Sequence, residues 1–287
     1  MTGHPAGSRD IVVGIDPDRD WRLALAWAAD EAQRRRLPLR LVLAVPPQHD
    51  THHVDGTPGQ TALRQAGSDR LEQACNWVRD RHPEVSVTGD LLGGFPAHVL
   101  GRAAREARLI VVGSRRLSRT AEFLSAGSLV VPVTAQARCP VAVVGDAEHI
   151  SQQPPYVVAG IDGSASATAA LAFAFDEADL RGAALRVVCV WQRPLIMLDD
   201  EEVALRAQRA LLSEATAGLS EKYPDVRVTH EVLTGHPVEE LARAAEHALS
   251  VVVGRRGRGG YTGMRVGSVV HGLLHRAHCP VITVPID

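Results

Sequence analysis

Ser250-Val251-Val252-Val253-Gly254-Arg255-Arg256-Gly257, with Gly267-Ser268 following after nine intervening residues, decides the fold. A short valine-rich run of this kind reads as a buried strand of a parallel sheet. Gly254 stands where that strand ends and a loop opens, the edge at which open α/β sheets bind ligands. Glycines there let main-chain N–H groups approach phosphate oxygens closely. Ser268 begins a helix whose free N–H groups and dipole favour negative charge. The spacing therefore reads as a phosphate cradle. Arg255, Arg256 and Arg258 add positive charge beside it, although arginines on a surface turn are commonly just solvated.

A damaged copy lies upstream. Leu109 to Val112 runs apolar into Gly113, but Arg116 stands where the second glycine belongs and Gly127-Ser128 arrives one residue late. Arg116 carries a Cβ that resists the left-handed geometry open to glycine, and whether this copy holds phosphate is left open by the sequence.

The duplication extends along the whole chain. Ile11-Val12-Val13-Gly14-Ile15-Asp16 is echoed by Val157-Val158-Ala159-Gly160-Ile161-Asp162, and Arg138-Cys139-Pro140-Val141 by His278-Cys279-Pro280-Val281. Short polar Ser151 to Pro155 links the copies, which gives two domains, 1–148 and 149–287. Within each, β-branched runs alternate with amphipathic stretches, the pattern of a parallel sheet flanked by helices. Strands are expected near 10–16, 39–45, 85–91, 109–113 and 140–144, with helices near 19–36, 60–81, 96–107 and 128–137. The second half repeats the plan with strands near 156–161, 184–190, 226–232, 250–254 and 280–284, and helices near 165–181, 200–222, 237–248 and 267–277. The fold class is α/β: two tandem Rossmann-like domains, each with a five-stranded parallel sheet. Apolar final strands would be exposed edges if each half stood alone, so the halves are expected to pair as a pseudo-twofold internal dimer.

Totals exclude several classes. At 287 residues and 45% hydrophobic the chain is long enough for two cores. A net charge of −2 and a pI near 6.7 give no basic field, so nucleic acid is not expected as a partner. Nor is a membrane, since no apolar run approaches the ~20 residues that span a bilayer, and residues 1–10 are polar. Scattered Cys75, Cys139, Cys189 and Cys279 suit a reducing cytoplasm and read as buried packing residues. The single lysine, Lys222, lies between Glu221 and Tyr223, which removes a Walker-type loop. His98 and His236, beside the Gly94-Phe95-Pro96 and Gly235-His236-Pro237 turns, read as capping or surface groups. His49, His52 and His53, with Asp50 and Asp55, read more readily as a polar loop than as a metal site.

On these openings, on the Gly-x2-Gly-x9-Gly-Ser pattern complete at Gly254, Gly257, Gly267 and Ser268, and on the Cys-Pro-Val final strands, the chain resembles the universal stress protein family in its tandem form. Its arginine- and alanine-rich style looks actinobacterial. The resemblance covers nearly the whole chain and implies an adenine nucleotide alpha hydrolase-like fold holding ATP, with Mg²⁺ as an optional companion. It places Asp162 against the ribose and adenine side and Val190 against the base. Gly254 and Gly257 would admit the phosphates, and Gly267, Ser268 and Val269 would close around them. Asp162 in Asp-Gly-Ser also reads as a simple turn or helix cap. First-half counterparts are Asp16, Val45, Gly113, Gly127 and Ser128.

Three functional classes follow: a nucleotide-dependent stress-response regulator with a protein partner, a slow ATP hydrolase or phosphotransferase, and a nucleotide-free interaction scaffold. The regulator leads. No residue is assigned a catalytic or metal-binding role, because no motif identifies a general base or a second substrate. A dinucleotide enzyme would place its glycines after the first strand, where Ile15-Asp16-Pro17 and Ile161-Asp162-Gly163 stand instead. Assembly of two tandem chains into a homodimer is left open.

Overall fold

The computed structural model describes residues 10–18, 20–47, 58–114, 129–145, 149–193, 201–258 and 266–286. The His49–His53 loop, Arg116, Gly127 and Ser128 lie outside them. The chain divides into two compact units, the main boundary falling between Asp146 and Ala147.

The first unit runs β1 (Ile11–Gly14), α1 (Arg22–Arg35), β2 (Leu39–Val45), α2 (Pro58–Arg81), β3 (Val87–Gly93), α3 (Pro96–Ala103), β4 (Leu109–Ser114), α4 (Val130–Gln136) and β5 (Val141–Gly145). The second repeats it as β6 (Tyr156–Gly160), α5 (Ala165–Arg181), β7 (Ala184–Trp191), α6 (Glu201–Lys222), β8 (Val228–Thr234), α7 (Pro237–Ala244), β9 (Ser250–Gly254), α8 (Ser268–Arg276) and β10 (Val281–Val284). Strand order is β3-β2-β1-β4-β5 in the first unit and β8-β7-β6-β9-β10 in the second. Every one of these neighbouring pairs is parallel. Because β1 has β2 on one side and β4 on the other, successive crossovers leave it in opposite directions. A crevice opens at the carboxyl ends of the strands at that switch point. β6, β7 and β9 repeat the arrangement.

Both faces of each sheet are covered by helices, which is why the central strands read as unbroken apolar runs. Ile11, Leu39, Leu41, Leu109 and Ile110 are fully buried in the first unit, and Leu171, Phe175, Leu185 and Leu212 in the second. Each unit also buries an acid of its first helix. Glu31 pairs with Arg35 and Glu177 with Arg181, each partner one turn along. Such pairs cost desolvation and are strongly destabilising to break.

Several boundaries differ from the sequence reading by one to four residues, and two of the differences recur in both units. Helices α3 and α7 stop at Ala103 and Ala244 instead of 107 and 248. The chain tightens to i−3 bonds there (Arg105 N to Arg102 O, 3.1 Å; Glu246 N to Arg243 O, 3.2 Å) before it is caught by the sheet (Arg108 N to Asp10 O, 2.8 Å; Leu249 N to Tyr156 O, 2.8 Å). Strands β3 and β8 begin two residues late, because the amides of Val85 and Val226 are turned back on His82 O and Tyr223 O. Gly94 (φ 136°) and Gly235 (φ 151°) then make the turn into α3 and α7, a geometry that strains any side chain.

All four cysteines are buried. Burial pushes the Cys139 thiol up from 9.0 to about 12, its first cause being desolvation. Since the folded value lies above the unfolded one, the stabilisation is complete below pH 9 and is lost as pH rises toward 12. Urea melts are expected to show stability falling across that window, and thiol reagents at pH 8 to label the chain only after unfolding.

Candidate functional site

The second unit carries a cleft of about 450 Å³ at the carboxyl ends of β6, β7 and β9, within the ~300–1,000 Å³ typical of small-molecule sites. Its walls differ in chemistry. Strand ends and α7 supply apolar side chains, among them Ile161, Val188, Val190, Val238, Leu241 and Val253. The loop after β9 supplies Arg256, Gly257 and Arg258, and the start of α8 supplies Ser268 and Val269. Helix α8 starts at Ser268 behind Gly267, and no side chain caps it. The first-turn N–H groups at that wall therefore remain donors.

Loop geometry follows from the residues that touch it. Asp162, just past β6, accepts from Ser164 N through Oδ1 (3.0 Å) and from Arg258 N through Oδ2 (2.9 Å). Ser164 caps α5, its Oγ accepting from Ala167 N at 3.1 Å. Gly267 N donates to Arg255 O at 2.9 Å, tying the start of α8 to the loop. A Cβ on Gly257 would lie 2.5 Å from Asp162 Oδ2. One on Gly254 would lie 2.6 Å from Ser166 Oγ and 2.7 Å from the Ser166 carbonyl carbon. Glycine at 254 is thus demanded by the approach of α5 itself.

The three arginines are not alike. Arg256 and Arg258 line the cleft. Arg255 continues the β9 ladder, its N donating to Val284 O at 2.8 Å, and its guanidinium is held below the usual arginine value by burial and then by neighbouring Arg256. Beneath the cleft, Cys189 is raised by burial and by the Asp162 carboxylate, with Arg258 opposing.

Of the residues singled out from sequence, Asp162, Val190, Gly254, Gly257, Gly267, Ser268 and Val269 all line this cleft. His236 does too: it holds the N-cap position of α7 but makes no side-chain cap bond. In the first unit Asp16 follows β1 and accepts from Asp18 N at 3.0 Å, while Val45 ends β2 in the core. A Cβ on Gly113 would meet Ala24 Cβ at an ordinary 3.6 Å. Sequence reasoning missed Ser166, Val238 and Leu241. Apolar residues three apart on α7 look like core, and Ser166 signals nothing until α5 is laid against β9.

The fold and cleft define a tandem doubly wound α/β protein with a cleft at the switch point of its second unit. The chain belongs to the universal stress protein family, whose model matches residues 7–145 and 156–285. It is 34% identical over 291 residues to a universal stress protein of Mycobacterium tuberculosis, covering 97% of each chain. It is 35% identical over 286 residues to one of Mycolicibacterium smegmatis, covering 96% of each. The crystal structure of a universal stress protein from Archaeoglobus fulgidus superposes with a TM-score of 0.71 at 18% identity, over 97% of both chains, which speaks to fold alone. Among the described residues, no helix is long and apolar enough to cross a membrane.

Proposed function

We propose that the second unit binds ATP and that the chain acts in the cytoplasm as a nucleotide-dependent stress-response regulator, read by a protein partner. One observation carries this reading: a single cleft joins an apolar strand-end wall, suited to a base, to an uncapped helix start, a glycine loop and two arginines, suited to phosphates. Asp162, Val190, Gly254, Gly257, Gly267, Ser268 and Val269 form the site. Asp16, Val45, Gly113, Gly127 and Ser128 are its counterparts in the first unit.

Among the described residues, no group of three or more His, Cys, Asp or Glu side chains could hold a metal ion. Asp162 is the carboxylate among the described lining residues, and it gives an oxygen to each of two amides. A Mg²⁺ ion accompanying the nucleotide would therefore ride on the phosphates. Regulation would be linkage: a ligand that binds one conformation more tightly favours it by the difference in affinity, and at 100 times its Kd stabilises the folded chain by about 2.7 kcal/mol.

The test is to denature freshly purified protein, quantify released nucleotide by chromatography, and titrate the emptied protein with ATP. One equivalent per chain is expected. Two equivalents would assign binding to the first unit as well, and no nucleotide together with no measurable affinity would reject the reading in favour of a scaffold.

A further inference from the structure

We propose that Asp162 is a positioning residue that fastens the glycine loop, so that its loss weakens binding at the phosphate end of a nucleotide and leaves the nucleoside end nearly untouched. This rests on the nucleotide reading of the cleft. It differs from a ribose contact, the role that resemblance alone gives this aspartate.

Three alternate residues after β6 reach across to the loop. Asp162 Oδ2 accepts from Arg258 N at 2.9 Å, Ser164 Oγ donates to Arg256 O at 3.5 Å, and Ser166 Oγ accepts from Arg256 N at 3.4 Å. The two serine bonds are long, whereas the aspartate bond is short and charge-assisted, the stronger kind. The stretch Asp162 to Ser166 thus holds a loop that lies 90 to 96 positions further along the chain.

Gly257 fits this role. Its missing Cβ leaves room for the carboxylate, which a side chain would meet at 2.5 Å. The Arg258 guanidinium then lies across the turn below, with Cζ and one terminal nitrogen each 3.2 Å from where a Gly163 Cβ would stand. Fastening the Arg258 amide therefore anchors the root of that side chain at the cleft wall. Fixed donors and cations hold an anion better than mobile ones, because their ordering cost is met before binding.

The first unit shows what the stretch looks like without its serines. Asp16, Asp18 and Asp20 occupy the corresponding positions. Asp16 keeps the local turn to Asp18 N at 3.0 Å, but Asp20 turns to its own neighbour Arg22, accepting from its N at 3.0 Å. Ionised carboxylates accept hydrogen bonds and donate none, so Asp18 cannot give the bond that Ser164 gives to Arg256 O.

The experiment titrates the emptied full chain, as wild type, Asp162→Ala and Asp162→Asn, with ATP and with adenosine, and follows amide hydrogen exchange of peptides covering 254–258. Asp162→Ala is expected to weaken ATP roughly 10- to 100-fold, the worth of a hydrogen bond to a charged group. Adenosine should change by less than about twofold. Exchange in the loop should accelerate, and Asp162→Asn should fall between wild type and Ala. Equal losses for adenosine and ATP would overturn the proposal and restore a ribose contact. An unchanged ATP affinity in Asp162→Ala would also overturn it. If the wild type binds neither compound, the nucleotide reading fails by itself. The exchange data still decide the fastening, and unaltered loop protection in Asp162→Ala would reject it.

Discussion

Replacing Gly257 by arginine is expected to remove tight ATP binding from the second unit while leaving the chain folded. Any side chain at 257 starts with a Cβ 2.5 Å from Asp162 Oδ2, inside the contact distance of a carbon and an oxygen. Either the carboxylate swings away and releases the Arg258 amide, or the loop lifts and carries its donors and Arg258 out of line. Neither leaves the cradle intact, so a loss of about 100-fold in ATP affinity, near 2.7 kcal/mol, is expected. Stability should change little. Gly257 is exposed and its φ is not in the left-handed region, so the damage is local crowding at a surface loop. Calorimetric titration alongside a thermal melt makes the measurement. ATP affinity within twofold of wild type would reject the cradle, and a collapsed melting transition would show that Gly257 serves the fold. The substitution also copies into the intact loop the residue type found at Arg116.

Much of this was legible in the sequence because parallel strands and their helices leave strong local marks. Valine runs bounded by glycine marked β1, β4, β6 and β9, and proline just inside α3 and α7 marked the turns at Gly94 and Gly235. What failed was wherever tertiary bonds override local preference. Residues 104–107 and 245–248 are alanine-rich and helix-favouring, yet the chain leaves the helix there to feed Arg108 and Leu249 into the sheet. Val85 and Val226 read as strand because they are β-branched and buried, but their amides close a turn instead.

The site divides along the same line. Glycine spacing announced the loop, since close approach needs glycine, and Asp162, Gly254, Gly257 and Ser268 do meet at one cleft. The reason for each glycine was not legible. Gly254 is small because α5 leans on it, and Gly257 because Asp162 does. Nor could the string Arg255-Arg256-Gly257-Arg258 say which cations face the cleft. The continuing ladder bond from Arg255 N to Val284 O puts Arg255 with the strand, while Arg256 and Arg258 belong to the loop.

The duplication supplies its own control for the packing role of Gly254. Gly254→Ala is expected to destabilise the second unit by about 2–3 kcal/mol, in the range for overpacked cores, whereas Gly113→Ala should stay within about 0.5 kcal/mol. Gly254 is the last residue of β9 and Gly113 the last but one of β4, the fourth strands of their units, and neither has a left-handed φ that would penalise alanine on its own. The difference is what waits beside them. At 254 the new methyl meets Ser166 at Oγ, Cβ and its main-chain carbonyl carbon, all within 2.8 Å, and a main-chain atom near the start of a helix cannot swing aside as a side-chain tip can. At 113 it meets Ala24 Cβ at 3.6 Å, an ordinary contact. Relief at 254 requires α5 to shift away from β9, which would carry Ser164 and Asp162 with it, so ATP affinity should fall together with stability. Denaturant melts of both variants, read beside ATP titrations, separate the cases. Equal destabilisation by the two substitutions would show that the close approach of α5 to Gly254 does not set the requirement for glycine.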